Sequence, residues 1–330
     1  MEFSTHASAN PLVSVGIPIR NGQNYIREGL SSILTQTMGD FEVIICDNAS
    51  TDSTEAICRE FADRDPRVRY FRNERNLGPA GNHNRCVERA TGKYFRWQAH
   101  DDLLAPTYLE KVVDVMEKDP TIANCHSWTR QIRADGSPYG DYKFVLGTDD
   151  PSLPVRFSRL INVRHRVHLE YEIFGLWRRE QMIKTRLQSP CAHGDRVHLV
   201  RMILFGRFCE VPEFLFIARG HAGQSLAQTT RRSHFLNFLG SGPIPPAEWW
   251  NPELKGKATF PEWNLLREYW NMLDEVPIDP RDRAACRRIV ARWAIANAHK
   301  LGRDVAFGIE TGLRRLGNFA TLSSGANQTA

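Results

Sequence analysis

The segment YFRWQAHDDLLAPTYLEK, residues 94–111, sets an aromatic and apolar run directly against His100, Asp101 and Asp102. Adjacent carboxylates repel one another and are costly to desolvate, so a pair of them at the end of a hydrophobic run needs a cation or a hydrogen-bond donor. A second apolar run, FEVIICD, ends in Asp47. The plain alternative is structural. Asp commonly caps helices, and Pro106 with TYLEKVVDVMEK behind it reads as the start of one.

The elements that must position these groups alternate in kind. PLVSVGIPI (11–19) predicts a strand, and YIREGLSSILTQTM after it carries apolar residues at helical spacing. FEVIICDNAS predicts a second strand, and STDSTEAICREFADRD opens on Ser and Asp capping choices before a second helix. VRYFRN predicts a third strand, NLGPAGNHNRCVERAT a Gly-bearing loop running into a helix, and GKYFRWQAHDD a fourth strand. Such alternation predicts an α/β fold with a mainly parallel sheet covered by helices on both faces. Ligands sit at the carboxyl ends of the strands of such sheets, which is where Asp47 and Asp101 fall. Placement there favours a ligand role over capping for Asp101, and Gly78 allows a backbone to come close to that ligand.

Composition narrows the ligand. The chain has 330 residues, 42% hydrophobic and 25% charged, enough for a soluble globular body with a sizeable core. A net charge of +5 suits an anionic ligand, while the dispersal of Lys and Arg and the lack of a zinc-finger or RNA-recognition signature argue against nucleic acid. No G-x-G-x-x-G follows the first strand and no G-x-x-x-x-G-K-[ST] occurs, which argues against dinucleotide and P-loop chemistry. A phosphorylated small molecule held through carboxylates and a divalent cation fits better. The seven cysteines stand singly, without a C-x-x-C pair, so neither a disulfide framework nor a zinc ribbon is expected. No apolar run is long enough to span a bilayer and the opening MEFSTHASANPLVS lacks a signal-peptide pattern, which reads as cytoplasmic.

From about residue 121 the alternation stops. TIANCHSWTRQIRADGSPYG reads as a strand and a turn, and 140–168, with Pro151 and Pro154, as a looser stretch. EIFGLWRREQMIKTR returns to strand and helix. Beyond 226 a Pro- and Trp-rich connection leads to helices, and the closing TLSSGANQTA reads as disordered.

Four blocks in series, VSVGIPIRNGQNYIREGLSSILTQT, FEVIICDNASTDST, NLGPAGNHNRCVERATGKY and AHDDLLAPTYLE, resemble the family 2 glycosyltransferases of the GT-A fold. The likeness is strong over 11–120 and weaker over 170–225. It implies a GT-A domain over 1–225, with a nucleotide-sugar half (11–120) and an acceptor half (121–225), and a helical C-terminal region over 226–330. It implies a nucleoside diphosphate sugar donor, with UDP the usual nucleotide, and a sugar, lipid-linked or other hydroxyl acceptor. The cofactor implied is a divalent metal, Mn²⁺ or Mg²⁺, and the setting polysaccharide, glycolipid or glycoconjugate synthesis.

Carried over by position, Pro18, Arg20 and Asn21 match the first nucleotide-contacting loop, with Arg20 where the family often has an aromatic residue. Asp47 matches the acidic residue that hydrogen-bonds the base, and Asn76, Gly78 and Asn84 match the third loop beside the nucleotide. The AHD of 99–101 occupies the place of the D-x-D metal motif. Ala99 replaces its first Asp, so Asp101 becomes the principal metal ligand, His100 a ribose or phosphate contact, and Asp102 an added metal-shell group or a helix cap. HGDRVHLVRMILFG matches the segment with the family's catalytic carboxylate, which makes Asp195 the base of an inverting transfer, with capping of the next helix as the rival. VPEFLFIARGHAGQS matches the closing strand whose His, here His221, completes the metal shell.

Two further accounts compete. His193, Asp195 and His198, with His221, could form a hydrolytic metal cluster, although H-x-D-x-x-H does not put all three side chains on one helical face. A fold that has kept nucleotide binding and lost the chemistry would also explain the altered AHD. In the C-terminal helices Ile289, Trp293, Ala296, Leu301, Val305, Ile309, Leu313 and Leu316 recur at helical spacing, as for packing on the body. Arg287, Arg288, Arg292, Arg314 and Arg315 allow the sharper account of peripheral contact with an anionic membrane.

Overall fold

The computed structural model describes residues 10–163, 168–223, 247–255, 257, 259–306 and 308–309. Four parallel strands form its first half. β1 (Val13–Ile19) pairs with β2 (Phe41–Asp47) and, on its other side, with β4 (Tyr94–Trp97), while β2 pairs with β3 (Val68–Arg72). Helices α1 (Ile26–Leu34), α2 (Thr54–Arg64) and α3 (Gly78–Arg89) make the crossovers. After β4 come the two-residue strand β5 (Leu103–Leu104), α4 (Tyr108–Lys118), the long β6 (Ile122–Arg133), β7 (Pro138–Tyr142), α5 (Leu153–Asn162) and β8 (Leu176–Arg178). A short α6 (Arg179–Met182), α7 (Gly194–Met202) and β9 (Arg207–Gly220) follow, then α8 (Ala247–Trp250), α9 (Pro261–Glu275) and α10 (Pro280–Ala296).

The strands join in one sheet of order β3-β2-β1-β4-β8-β6-β9-β5, with β7 beside β6. β6 and β9 run parallel, whereas β8 is antiparallel to both β4 and β6 and β5 is antiparallel to β9. Period-two alternation splits the core between the two faces. Val13, Val15, Ile17 and Ile19 of β1 pack with α1 and α4 on one face. Ile44, Cys46, Phe95 and Trp97 pack with α3, α5, α7, α9 and α10 on the other. Gly16 makes the second packing close, because a Cβ there would lie 2.7 Å from that of Cys86 on α3.

Two prolines read differently in the fold. Pro154, in the stretch expected to be loose, sits in the first turn of α5, where a missing N–H costs nothing. Pro212 lies inside β9 where the pairing with β6 shifts register between Ser127 and Trp128, the kind of irregularity that admits a residue with no donor.

The C-terminal helices share the body's core. Leu265, Tyr269, Leu273, Val290 and Trp293 are buried in the same cluster as residues of α5 and α7. Arg201 on α7, fully buried, donates to Glu268 at 2.7 Å and to Glu275 at 3.2 Å, both on α9. Of the expected apolar stripe, Ile289, Trp293 and Leu301 pack inward while Ala296, Val305 and Ile309 are exposed. Leu313, Leu316, Arg314 and Arg315 lie outside the described residues. Arg287 is paired with Asp274 and lies over the Trp270 ring, whereas Arg288 and Arg292 are exposed.

Removing a partner from a buried ion pair strands the remaining charge. Arg201→Ala is expected to lower unfolding free energy by about 3 kcal/mol in urea titrations. A loss below about 1 kcal/mol, the range of an exposed pair, would mean that the clamp does not hold α9 to the body.

Candidate active site

The carboxyl ends of β1, β2 and β4 open at one edge of the sheet, and their loops are tied to one another by side chains. In the loop after β1, Asn21 has φ 54° and its N–H donates to Ser50 Oγ at 2.9 Å, while its Oδ1 accepts from the Thr51 N–H at 2.8 Å. Gly22 N–H donates to Thr54 Oγ1 at 2.8 Å. Pro18 is half-buried and Arg20 exposed beside them. Asp47 itself is fully buried. Its Oδ1 accepts from the Ser50 N–H at 2.8 Å and its Oδ2 from the Tyr70 hydroxyl at 2.6 Å, with Arg72 Nη1 at 3.5 Å. The carboxylate expected to meet a base is thus the internal anchor of its loop.

The third loop joins the second through amides. Asn48 Nδ2 donates to Asn76 Oδ1 at 2.7 Å and Asn48 Oδ1 accepts from the Leu77 N–H at 2.8 Å. Gly78 follows with φ 76°, and a Cβ on it would lie 2.6 Å from the Trp250 carbonyl oxygen, so both conformation and space require glycine. Asn84, one and a half turns along α3, uses both ends of its amide on the backbone of Gln188.

At the end of β4, His100 packs against the first loop, where a Cβ on Gly22 would lie 2.5 Å from its ring. Burial lowers its pKa and outweighs the pull of Asp101, so the ring is neutral. Asp101 Oδ2 meets His221 Nε2 at 2.8 Å. Gly223 donates its N–H to His221 Nδ1, which leaves Nε2 as the protonated nitrogen that faces Asp101. The His221 ring also lies 4.8 Å from that of Tyr25. Asp102 turns elsewhere. It accepts the Arg219 backbone N–H at 2.9 Å, and burial, then the charge of Asp101, pushes its pKa well up. The capping account of Asp102 fails on geometry, because α4 begins at Tyr108 with Thr107 as its N-cap.

Arg219 is the residue that sequence reasoning missed. Nearly buried at the end of β9, it donates from Nε to the Asp101 carbonyl at 3.0 Å and from Nη2 to Glu28 at 2.6 Å, and its guanidinium lies over Tyr25. One side chain therefore fixes the turn that presents Asp101. Its only sequence signal was its place two residues before His221.

Asp195 lies in the first turn of α7, after His193 at φ 65°. It caps no helix end; its Oδ1 accepts from Gln188 Nε2 at 3.0 Å, and Oδ2 has no partner among the described residues. Enclosure by protein, then the nearby Glu170 charge, raises its pKa to about 6 against the donor from Gln188. Glu170 is held by Arg196 at 2.8 Å. His198 does not join Asp195 in a cluster. It is fully buried with its ring 5.0 Å from that of Trp97 and 5.2 Å from that of Trp177, and burial lowers its pKa to about 3. That geometry removes the hydrolytic metal cluster.

Among the described residues, five that are not glycine have left-handed backbones, Asn21, Ala49, Glu170, Leu187 and His193, and all fall in these loops. Strain of this kind persists where the surroundings over-determine it, which is characteristic of binding and catalytic sites.

Among the described residues, no three His, Cys, Asp or Glu side chains gather closely enough to hold an ion by themselves. Asp101 and His221 supply one carboxylate oxygen and one imidazole nitrogen at a common point. With the His221 proton moved from Nε2 to Nδ1, at the expense of the Gly223 bond, that pair would fit a divalent cation whose remaining ligands come from a bound diphosphate and water.

The fold and this loop cluster define an α/β protein whose polar loops gather at the carboxyl edge of its sheet. Comparison with known proteins identifies the family: the model for glycosyl transferase family 2 matches residues 14–187, and the chain belongs to that family. It is 36% identical over 135 residues to an uncharacterized glycosyltransferase of Methanocaldococcus jannaschii, covering 40% of this chain and 47% of that protein. It is 37% identical over 133 residues to a hyaluronan synthase of Pasteurella multocida, covering 40% of this chain and 14% of the synthase. The matched stretch thus spans less than half the length of either relative. Residues 1–349 of S. aureus TarS, solved with UDP-GlcNAc, share the fold at a TM-score of 0.52 and 16% identity, covering 92% of both chains.

The two carboxylates of the turn are expected to separate by function. Asp102→Asn keeps an oxygen for the Arg219 N–H and should retain Mn²⁺-dependent binding of a nucleoside diphosphate in calorimetry, whereas Asp101→Asn should lose it. Equal loss in both variants would place Asp102 among the metal ligands.

Proposed function

We propose that this chain is an inverting glycosyltransferase that moves a sugar from a nucleoside diphosphate sugar to an acceptor hydroxyl. The observation that carries the reading is Asp195: a carboxyl group of raised pKa, fixed through one oxygen and open at the other, in the first turn of α7 beside the Gln188 turn that is bonded to α3. A base serves best when its pKa lies near the working pH and its orientation is fixed.

In the proposed reaction the acceptor oxygen attacks the anomeric carbon from the face opposite the diphosphate. The bond from that carbon to the diphosphate oxygen breaks, its electron pair leaves with the diphosphate, and the acceptor proton passes to Asp195. The loops after β1, β2 and β3 form the nucleotide side, with Pro18, Arg20, Asn21, Asn76 and Gly78 as its contacts and Asp47 holding the second loop in shape. His100, neutral and packed on the first loop, faces ribose or phosphate. Asp101 and His221 would hold a divalent cation, Mn²⁺ or Mg²⁺, which when bound neutralises the diphosphate and supports its departure. The TarS complex with UDP-GlcNAc makes UDP-sugars the first donors to test. A sugar or lipid-linked hydroxyl in polysaccharide, glycolipid or glycoconjugate synthesis is the acceptor class. Exposed Arg288, Arg292 and Ile295 support peripheral contact with an anionic membrane, at the cytoplasmic face.

Asp195→Asn should lower turnover by roughly 10²- to 10⁴-fold while leaving nucleotide affinity intact. Because the base works ionised, kcat/KM of the wild type should fall as pH drops through about 6, the value to which its carboxyl is raised. Wild-type turnover in Asp195→Asn would refute the assignment, and tight nucleotide binding without turnover in any form of the protein would point to an inactive scaffold.

A further inference from the structure

Asn84 falls in the third nucleotide loop by its place in the sequence, yet both ends of its amide are engaged within the protein. Nδ2 donates to the Gln188 carbonyl oxygen at 3.0 Å and Oδ1 accepts the Gln188 N–H at 3.0 Å, so the side chain acts as a strand edge for one residue. Gln188 then donates from Nε2 to Asp195 Oδ1, also at 3.0 Å. We propose that Asn84 and Gln188 are positioning residues that orient the carboxylate of Asp195, and that Asn84 does not contact the donor nucleotide. The inference rests on the reading of Asp195 as the base.

The surrounding chain is built to hold this relay. Leu187, just before Gln188, has φ 55°, its N–H donates to Thr185 Oγ1 and its carbonyl oxygen accepts from Arg201 Nη1 at 3.1 Å. Arg201 is itself clamped by Glu268 and Glu275 of α9. On the other side, a Cβ on Gly194 would lie 2.8 Å from the Ser189 carbonyl oxygen, so glycine there lets α7 start close against the Gln188 turn. Gln188 is almost wholly buried, which removes water as a competitor for its amide.

A single donor on Oδ1 does two things. It fixes the rotation of the carboxylate so that the unoccupied Oδ2 is the oxygen presented to an acceptor, and it favours the ionised form against burial and the charge of Glu170. Arg196, the next residue along α7, is engaged by Glu170. Asn84 acts one step further back, by locking the backbone from which the Gln188 side chain projects. Since α3 begins at the third nucleotide loop, the relay also makes the position of the base depend on the element that lines the donor.

Two variants test this, each read by kcat, the acid limb of kcat/KM, and calorimetric affinity for UDP, GDP and dTDP. Asn84→Ala and Gln188→Met should each lower kcat by about 10- to 100-fold, the cost of a displaced catalytic group, with nucleoside diphosphate affinity unchanged. Gln188→Met keeps the backbone bonds to Asn84 and deletes only the donor, so its acid limb should move to higher pH. A thermal midpoint near that of the wild type confirms that Gln188→Met is folded. The proposal is overturned if Asn84→Ala weakens nucleotide binding in proportion to its loss of kcat/KM, or if Gln188→Met keeps both kcat and acid limb. Failure of the base reading has a separate signature, undiminished turnover in Asp195→Asn.

Discussion

Carboxylates gathered in the loops at one edge of the sheet, Asp47 at the end of β2 and Asp101 and Asp102 after β4, must be satisfied with little help from water, and the organisation of this site follows from that constraint. Each carboxylate has its own solution. Asp47 takes a backbone N–H and a tyrosine hydroxyl, Asp102 takes the Arg219 N–H, and Asp101 pairs with His221. Asp195 keeps a single amide donor and one open oxygen. Asp47, bonded through both oxygens, builds its loop, and Asp101 and Asp195, bonded through one oxygen each, keep capacity for a ligand or a proton.

Satisfying the charges also joins distant parts of the chain. Arg219, at the end of β9, holds the turn after β4 and reaches Glu28 on α1, so the turn that carries Asp101 is fixed by β9. Arg201 on α7 binds two carboxylates of α9 and the carbonyl of Leu187. The C-terminal helices are consequently part of the frame of the site, and their buried faces share the core with α5 and α7. Left-handed residues occur where these ties converge, as expected when tertiary contacts override local preference.

Much of the first half was legible in the sequence because its signals are local. The period-two strands, the helical spacing after them and the acidic residues at strand ends are all read within a window of ten residues, and the strand and helix order to α4 follows that reading. Pairing across the sheet is not local. Nothing near Arg219 announces that it will meet Asp101 and Asp102, more than a hundred residues earlier, and nothing near Asn84 announces Gln188. The α5 helix was missed because Pro154 reads as a breaker unless the helix is known to begin there. His193 and His198 looked like ligands by type, but burial between two tryptophans, visible only in three dimensions, decides His198.

In the proposed function the loops around Asp47, Asn76 and Asp101 receive a nucleoside diphosphate together with a divalent cation. The most direct measurement is calorimetric titration of the wild-type protein with UDP, GDP and dTDP, each in Mn²⁺ and again in excess chelator. Binding of at least one of the three, UDP first, is expected to be strong with Mn²⁺ and lost on chelation. Absence of binding to all three in Mn²⁺, or affinity indifferent to the chelator, would contradict it.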